Sequence, residues 1–344
     1  MNYSNTAIFT PPAGGGGAFL LDEVGVSAIT AVSFRKLTSA YSGPCIEVRR
    51  LSDNTTQDIG FDANGILDEV AVASFCGSSV GTIATWYDQS GNGINFTKAD
   101  YNTPIVAQEP IIYYNEGGGS AITRNAVGNI ASYTREPGDP NAVGLRWFYN
   151  IDPISIPVTF TTTNILQYNS YNYAGICFSG KEPGYTMGTY NSRIQGINQD
   201  GIRTSGADDS ARFLIQPIEA NRTNPFHLTT FYNTGGGDNA SKVWYSTYLN
   251  NISSIIGSKP LSWAGVGSGE FTFTWLGGDA NLAVPFNNYV LGAFSNRYGN
   301  SNVLYSNVAY SEHIMWDLPL NTTLDATQAT ALNTNVNAFY GLTY

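Results

Sequence analysis

Residues 83–93, IATWYDQSGNG, decide the fold more than any other stretch of this sequence. The first five residues are rich in β-branched and aromatic side chains, which favour a strand. The rest of the run turns a chain, because Asp and Asn side chains bond nearby backbone amides and glycine accepts a positive φ. We therefore predict a strand that ends in a structural turn at Asp88. A loop that faces a glycan is the alternative interpretation of the same run.

The composition also favours β structure. Of the 344 residues, 42% are hydrophobic and only 12% are charged, while 37 are Gly and 22 are Tyr. This mixture is typical of turn-rich β proteins. Asn, Gly and Pro clusters separate the other predicted strands: 157–163, 173–179, 226–232, 242–249, 271–276 and 303–311. Helical spacing predicts three helices, over 22–40, 68–75 and 327–340. Many short strands with few helices predict a mainly β, two-sheet sandwich with peripheral helices.

The start of the chain differs from the rest. A Pro11-Pro12 pair is followed by four glycines at 14–17, which cannot hold a regular element. We expect a flexible arm over residues 1–20 and one sandwich domain over 21–344. No charged and apolar signal segment opens the sequence, so synthesis in a host cytoplasm is expected. Three widely spaced cysteines fit neither a disulfide framework nor a zinc site, and they are predicted to be buried free thiols: Cys45, Cys76 and Cys177.

The charge balance argues against several classes of partner. Sixteen basic and 26 acidic residues give a net charge of −10, so binding to nucleic acid or to an anionic membrane is not expected. No apolar run reaches the roughly 18 residues of a membrane helix. Glycines 14–17 lack the Lys-Ser/Thr of a phosphate loop, and no cofactor or metal is expected, although 235–238 leaves a calcium loop open beside a hairpin loop. His227 and His313 are expected to be structural, with a Ser-His-Asp triad as the alternative.

The segment 48–61, VRRLSDNTTQDIGF, together with the run at 86–93, resembles the catalytic domain of the α-L-arabinofuranosidases of glycoside hydrolase family fifty-four. The resemblance implies a concanavalin A-like jelly-roll sandwich. It is good over about residues 20–100, moderate from about 303 onward, and poor between. The same stretch is similar to domains of bacteriophage virion proteins, where the opening at 20–22 and the closing segment 335–341 recur with it.

The resemblance implies two catalytic carboxyl groups. Retaining glycosidases hold them about 5–5.5 Å apart, one as the nucleophile and one as the acid/base. Asp279, which follows Trp275 and Gly278 in the segment WLGGD, matches the acid/base pattern. For the nucleophile, Asp200 matches without a gap, and Gln199 matches after a shift of one residue.

Three departures from the family pattern make lost catalysis the expectation. An amide at 199 forms no glycosyl ester, and an Asp at 200 ends about 1–1.5 Å short of the family's Glu, a displacement that costs on the order of 10²-fold in rate. The family's platform of two adjacent cysteines is reduced here to Cys177. The disulfide partner expected five residues after Cys76 is Gly81. The predicted ligand-binding residues are Gly278, Cys177, Trp275, Trp86 and Asp88.

We therefore expect a virion structural or appendage protein, a capsid decoration or a fibre, whose lectin-like domain binds a host-surface glycan. The arm at 1–20 would bind other virion proteins by ordering on contact, and assembly into a homo-oligomer is left open. A decoration protein without a ligand is one alternative. The other is a retaining hydrolase similar to the α-L-arabinofuranosidases, with Asp279 and Asp200 as its carboxyl pair.

Overall fold

The secondary structure was described on a computed structural model. The described residues are 18–98, 109–116, 119–123, 130, 132–133, 149–151, 160–168, 174–180, 193–198, 201–205, 212–214, 226–234, 242–249, 271–274, 288–291, 293–295, 303–305, 308–318 and 324–341. The predicted arm falls on residues 1–17, outside this set, and stays a prediction. Leu20, at the end of that arm, begins a helix and is buried.

Strands dominate the described chain, and the helices lie near its two ends. The helices are α1 (Leu20–Val24), α2 (Glu69–Cys76) and α3 (Ala326–Tyr340). The strands of the first half are β1 (Ala28–Ser33), β2 (Ile46–Arg50), β3 (Thr56–Ile59), β4 (Gly81–Trp86), β5 (Phe96–Lys98), β6 (Ile111–Glu116), β7 (Gly119–Ile122), β8 (Ser132–Tyr133), β9 (Tyr149–Ile151) and β10 (Phe160–Tyr168). Those of the second half are β11 (Ala174–Gly180), β12 (Arg193–Asn198), β13 (Gly201–Ser205), β14 (Arg212–Leu214), β15 (Phe226–Thr234), β16 (Lys242–Leu249), β17 (Phe271–Thr274), β18 (Asn288–Leu291), β19 (Ala293–Ser295), β20 (Val303–Tyr305) and β21 (Val308–Trp316).

The strand pairings fall into two antiparallel series. One runs β1–β21–β10–β15–β16–β17. The other runs β3–β2–β4–β5–β9–β18–β11–β12–β13–β14. Strands β6 and β8 join the two series through β4 and β21. Every pairing within the described residues is antiparallel, as expected of sandwiches rather than of α/β folds.

Aromatic side chains bring the two series into contact. Phe34, which follows β1, stacks on Trp86 of β4 with ring centroids 4.6 Å apart. Phe96 of β5 meets His313 of β21 edge to face at 5.5 Å. All four side chains are buried. The chain is thus mainly β with few helices, and this arrangement is consistent with the predicted β-sandwich.

The predicted helix over 22–40 is wrong. Helix α1 ends at Gly25, which is left-handed with φ 66°, and β1 follows at once. Five of the six residues of β1 are buried, so both faces of this strand are covered. A continuous buried run of this kind cannot be distinguished from a helix by its periodicity. The β-branched residues Ile29, Thr30 and Val32 favour the strand.

The other two predicted helices and the later strands are confirmed in place. Asp68 caps α2 by accepting a hydrogen bond from the Ala71 amide at 2.9 Å. Helix α3 begins with a capping box and ends at left-handed Gly341. Strand β16 coincides with the prediction over 242–249, and β15 contains the prediction over 226–232. Within the described part of the chain, no helix is long and apolar enough to cross a membrane.

The C-terminal helix closes one side of the core. Its buried residues Leu332, Val336 and Tyr340 pack with Leu20 of α1 and Trp316 of β21. Both ends of the described chain therefore meet over the series that contains β21. This packing holds β1 between β21 on one edge and the run at 86–93 on the other.

Candidate active site

Trp86, a predicted sugar-binding residue, lies in the core. It is fully buried in β4 and covered by Phe34. A ring enclosed in this way presents no face on which a sugar could stack. The structure thus gives Trp86 a packing role, the alternative that aromatic residues in a strand always carry.

Asp88, the second predicted ligand-binding residue within the described set, holds the turn together. Its carboxylate accepts hydrogen bonds from the amides of Ala31 at 2.8 Å, Ser90 at 2.8 Å and Ile94 at 3.0 Å, and from the Ser90 hydroxyl at 2.7 Å. The side chain is buried, with 5% of its surface exposed. Its oxygens are occupied by this turn, which fits the structural interpretation better than a loop that faces a glycan.

Gln89 and Asn92 extend the same function along β1. The Gln89 amide group donates to the carbonyls of Ser33 at 3.1 Å and Arg35 at 3.0 Å, and its oxygen accepts from the Leu37 amide at 2.8 Å. Asn92 donates to the Ala28 carbonyl at 2.8 Å. Strand β1 pairs with β21 along one edge, and side chains of the run satisfy backbone groups of the other edge. The run thus supports the scaffold.

A buried ion pair, which the sequence did not reveal, lies beside this clamp. Glu312 of β21 is fully buried and accepts from Arg35 Nε at 2.8 Å, the Ser33 hydroxyl at 2.9 Å and the Tyr340 hydroxyl at 3.0 Å. Burial would lower the pKa of Arg35, but the charge of Glu312 raises it above its ordinary value. Burial and the same carboxylate raise the pKa of Tyr340. Glu312 is enclosed and paired, so it is unsuited to serve as a catalytic acid.

His313 is enclosed as well. Burial lowers the pKa of its imidazole to about 3, and Phe96 covers it edge to face. It therefore stays neutral across the physiological range, as a structural histidine does. The side chain of His227, in β15, lies outside the described residues.

The predicted catalytic pair lies outside the described residues. Asp200 falls between β12 and β13, where Asn198 pairs with Gly201. Asp279 and its neighbours Trp275 and Gly278 follow β17, which ends at Thr274. Their roles stay predictions. Among the described residues, no group of three or more His, Cys, Asp or Glu side chains is placed to hold a metal ion.

The backbone of Cys177, another predicted ligand-binding residue, occupies an irregular point of its strand. In β11 it pairs with Gln195 of β12 and with Leu291 of β18. The register with β12 shifts between Gly175 and Cys177, so Ile176 is the extra residue of a β-bulge. Bulges re-aim side chains and are frequent beside active sites. The position that the resemblance assigns to a sugar platform therefore lies where the sheet is locally distorted.

Cys45 and Cys76 are buried free thiols, as predicted. A Cβ built on Gly81 would lie 2.6 Å from the Cys76 sulfur. Position 81 is thus spatially adjacent to this thiol, as the resemblance implies for a disulfide partner. Glycine in place of the partner leaves Cys76 reduced.

Comparisons with known proteins agree on one type of enzyme. The model of the family "Alpha-L-arabinofuranosidase B, catalytic" matches residues 22–125. Alpha-L-arabinofuranosidase B of Emericella nidulans is 42% identical over 76 residues, 21% of this chain and 15% of that protein. A probable alpha-L-arabinofuranosidase B of Aspergillus fumigatus is 44% identical over 66 residues, 19% of this chain and 13% of that protein. The aligned region is thus about one seventh of these curated relatives.

The fold likeness extends much further along the chain. A GH54 α-L-arabinofuranosidase soaked with a cyclic sulfate inhibitor superposes with a TM-score of 0.58 at 16% identity, over 93% of this chain and 64% of that chain. An arabinofuranosidase complexed with arabinofuranosyl-α-1,2-xylobiose gives 0.59 at 18% identity over the same shares. At these identities the likeness establishes the fold. The fold of this chain is that of these arabinofuranosidase structures.

These findings overturn the expectation of an inactive bacteriophage appendage. The family model, the curated relatives and the structures of similar fold described above are all arabinofuranosidases. The expectation rested on pairing single residues in the middle of the chain with a family pattern. At 16–18% identity such a pairing does not fix which residue takes a role, so the missing Glu was weak evidence against catalysis.

Proposed function

We propose that this chain is a retaining glycoside hydrolase of the α-L-arabinofuranosidase type, built on a concanavalin A-like jelly roll. The observation that carries the proposal is the match of the arabinofuranosidase catalytic-domain model to residues 22–125. That segment supplies β1 to β6 and the clamp at 86–93. The fold likeness over 93% of the chain supports extending the proposal to the strands beyond it. The proposed substrates are terminal α-L-arabinofuranosyl groups of neutral polysaccharides.

The reaction needs two carboxyl groups in different protonation states. The nucleophile attacks the anomeric carbon and forms a glycosyl ester, while the acid protonates the departing glycosidic oxygen. The deprotonated acid then removes a proton from water, which attacks the ester and releases the sugar with its original configuration. We assign the acid/base role to Asp279.

The nucleophile has two candidates. Asp200 is the first, although its side chain is one methylene shorter than a Glu. Only two glutamates occur between residues 151 and 269, Glu182 and Glu219. Glu219 follows β14 by five residues, and β14 pairs with the same strand, β13, that follows Asp200. Glu219 therefore belongs in any test of the nucleophile.

The test is hydrolysis of a chromogenic α-L-arabinofuranoside by the full chain and by single variants. Asp279→Asn is expected to lower kcat by at least about 10²-fold, the usual contribution of a general acid/base. Either Asp200→Asn or Glu219→Gln is expected to abolish turnover, since an amide forms no glycosyl ester. Azide should then restore release of the chromophore in that variant, because a small anion can attack from the vacated side.

The matched control is Asp317→Asn, which changes an exposed carboxyl group just after β21. It should keep the activity of the wild type. The proposal fails if the wild type hydrolyses no furanoside, or if the activity is the same in Asp279→Asn and the control. Inversion at the anomeric carbon, followed by NMR, would reject the retaining mechanism.

A further inference from the structure

A surface groove of about 500 Å³ is formed by residues 19–65 and contains none of the predicted catalytic residues. We call it the Phe61 groove. Small-molecule sites have volumes of about 300–1,000 Å³ and combine aromatic walls with a few polar groups. The Phe61 groove has both kinds of wall, supplied by Phe19, Lys36, Tyr41, Phe61, Asp62 and Asn64.

The aromatic wall is preformed. The rings of Tyr41 and Phe61 meet edge to face, with centroids 6.2 Å apart and planes at 83°. The Tyr41 hydroxyl donates to the Pro44 carbonyl at 2.7 Å and fixes the ring. A Cβ on Gly43 would lie 2.6 Å from that hydroxyl oxygen, so a glycine is needed for the ring to lie this close to the backbone. Both rings are partly exposed, which leaves apolar surface for a ligand.

The opposite wall is polar and equally fixed. Asp62 accepts hydrogen bonds from the backbone amides of Asn64 at 2.9 Å and Ile66 at 3.0 Å, and from the Asn64 side chain at 3.1 Å. The loop that follows is tied back by the Lys36 amide, which donates to the Gly65 carbonyl at 2.7 Å. Asn64 and Ser42 are exposed at this edge. A ligand therefore meets an ordered amide and a hydroxyl without first having to order the loop.

The charge of the groove selects a neutral ligand. Its lining holds one cation, Lys36, and one anion, Asp62. The Lys36 ammonium lies 5.4 Å from the centre of the Phe19 ring, and the Asp62 carboxylate is engaged by its own loop. The whole chain carries a net charge of −10, which disfavours anionic polymers. Paired apolar rings beside neutral hydrogen-bonding groups suit a pyranose or furanose, which has apolar faces and hydroxyl edges.

We propose that the Phe61 groove is an accessory binding site for a sugar residue of a neutral polysaccharide, and that it holds polymeric substrate on the enzyme. The identity of the polymer rests on the proposed function, whereas binding itself does not. A bound polymer would raise the local concentration of its side chains near the catalytic residues. The groove should therefore affect reactions on polymers and leave those on small glycosides unchanged.

The experiment compares Phe61→Ala and Tyr41→Ala with Phe75→Ala. Phe75 is a matched control, because it is a partly buried phenylalanine on α2 that packs on Arg50 outside the groove. Binding is measured by affinity electrophoresis in soluble arabinoxylan, with every protein also carrying Asp279→Asn to prevent hydrolysis. Circular dichroism confirms that each variant is folded. The groove variants should bind about tenfold more weakly, as expected for truncation of an aromatic contact, and the control should bind like its parent.

Activity gives a second readout that separates the two proposals. With Asp279 restored, the groove variants should raise KM for arabinoxylan and leave kcat/KM for the chromogenic glycoside within about twofold of the wild type. Equal arabinoxylan binding by the groove variants and the control would overturn the groove proposal, even if the enzyme is active. Retarded migration of an inactive protein that depends on Phe61 would support the groove and reject the proposed function. Binding that appears only after deletion of residues 1–17 would make the chain's own N-terminus the occupant and overturn the proposal.

Discussion

Replacement of Asp88 by Ala should strongly destabilise the protein. The substitution removes the acceptor of four hydrogen bonds: those from the amides of Ala31, Ser90 and Ile94, and that from the Ser90 hydroxyl. The Ala31 residue is fully buried, so its amide has no water to replace the lost oxygen. Stability, rather than sugar binding, is therefore the property expected to change.

The magnitude follows from these contacts. A hydrogen bond to a charged group contributes about 1.5–3 kcal/mol, and a buried amide left without an acceptor costs about 1–3 kcal/mol. Ser90 and Ile94 are partly exposed, so water can partly replace the carboxylate at their amides. We expect Asp88→Ala to lower the free energy of unfolding by about 4 kcal/mol, a large part of the roughly 5–15 kcal/mol typical of a folded protein. Asp88→Asn keeps one acceptor oxygen, and about half that loss is expected.

The assay is urea unfolding followed by tryptophan fluorescence, with Asp58→Ala as control. Asp58 is an exposed carboxyl of β3 that accepts one hydrogen bond, from the Tyr87 hydroxyl, so its loss should cost less than about 1 kcal/mol. A loss below about 1 kcal/mol for Asp88→Ala would refute the reasoning. Weaker sugar binding at unchanged stability would return the run at 86–93 to the glycan-facing interpretation.

The remaining predictions concern three other buried sites. Gly81→Cys should form a disulfide with Cys76 under oxidising conditions and raise the free energy of unfolding by about 2 kcal/mol; two persistent thiols in a titration would contradict this. Glu312→Gln should cost about 3–5 kcal/mol, because the Arg35 charge stays buried without its partner, and Arg35→Met in the same chain should recover part of the loss in urea unfolding. His313 should lower stability as the pH falls below about 6.5, by about 1.4 kcal/mol per pH unit, since the unfolded imidazole takes up a proton that the folded one, with its pKa of about 3, refuses. A His313→Asn variant with the same pH dependence as the wild type would contradict that explanation.

Local sequence patterns predicted the local structure well. The Asp and Asn residues of 86–93 announce a turn because their side chains bond backbone amides within a few residues. Helix α3 has both of its end signals in sequence, a capping box and a terminal glycine. Strand β1 was missed because β21, nearly 280 residues later, determines its conformation, and buried strands and helices show similar hydrophobic patterns over six residues.

Long-range features of the site could not be derived in the same way. The Arg35–Glu312 pair joins residues 277 apart in sequence, and no local motif connects them. Trp86 was predicted to bind sugar because aromatic residues serve both cores and sugar sites, and its burial depends on Phe34 from another strand. The Phe61 groove escaped notice because its residues follow no catalytic motif and converge only in the fold.

The central claim, that this chain cleaves furanosides through a covalent intermediate, is tested most directly by trapping that intermediate. The full chain is treated with a cyclic sulfate analogue of arabinofuranose, the class of inhibitor soaked into a solved arabinofuranosidase of the same fold. Attack by the nucleophile opens the cyclic sulfate and leaves the sugar esterified to one carboxyl group. Peptide mass spectrometry should find one adduct, on Asp200 or Glu219, that is absent from the matching amide variant. An unlabelled protein that also hydrolyses no furanoside would contradict the claim.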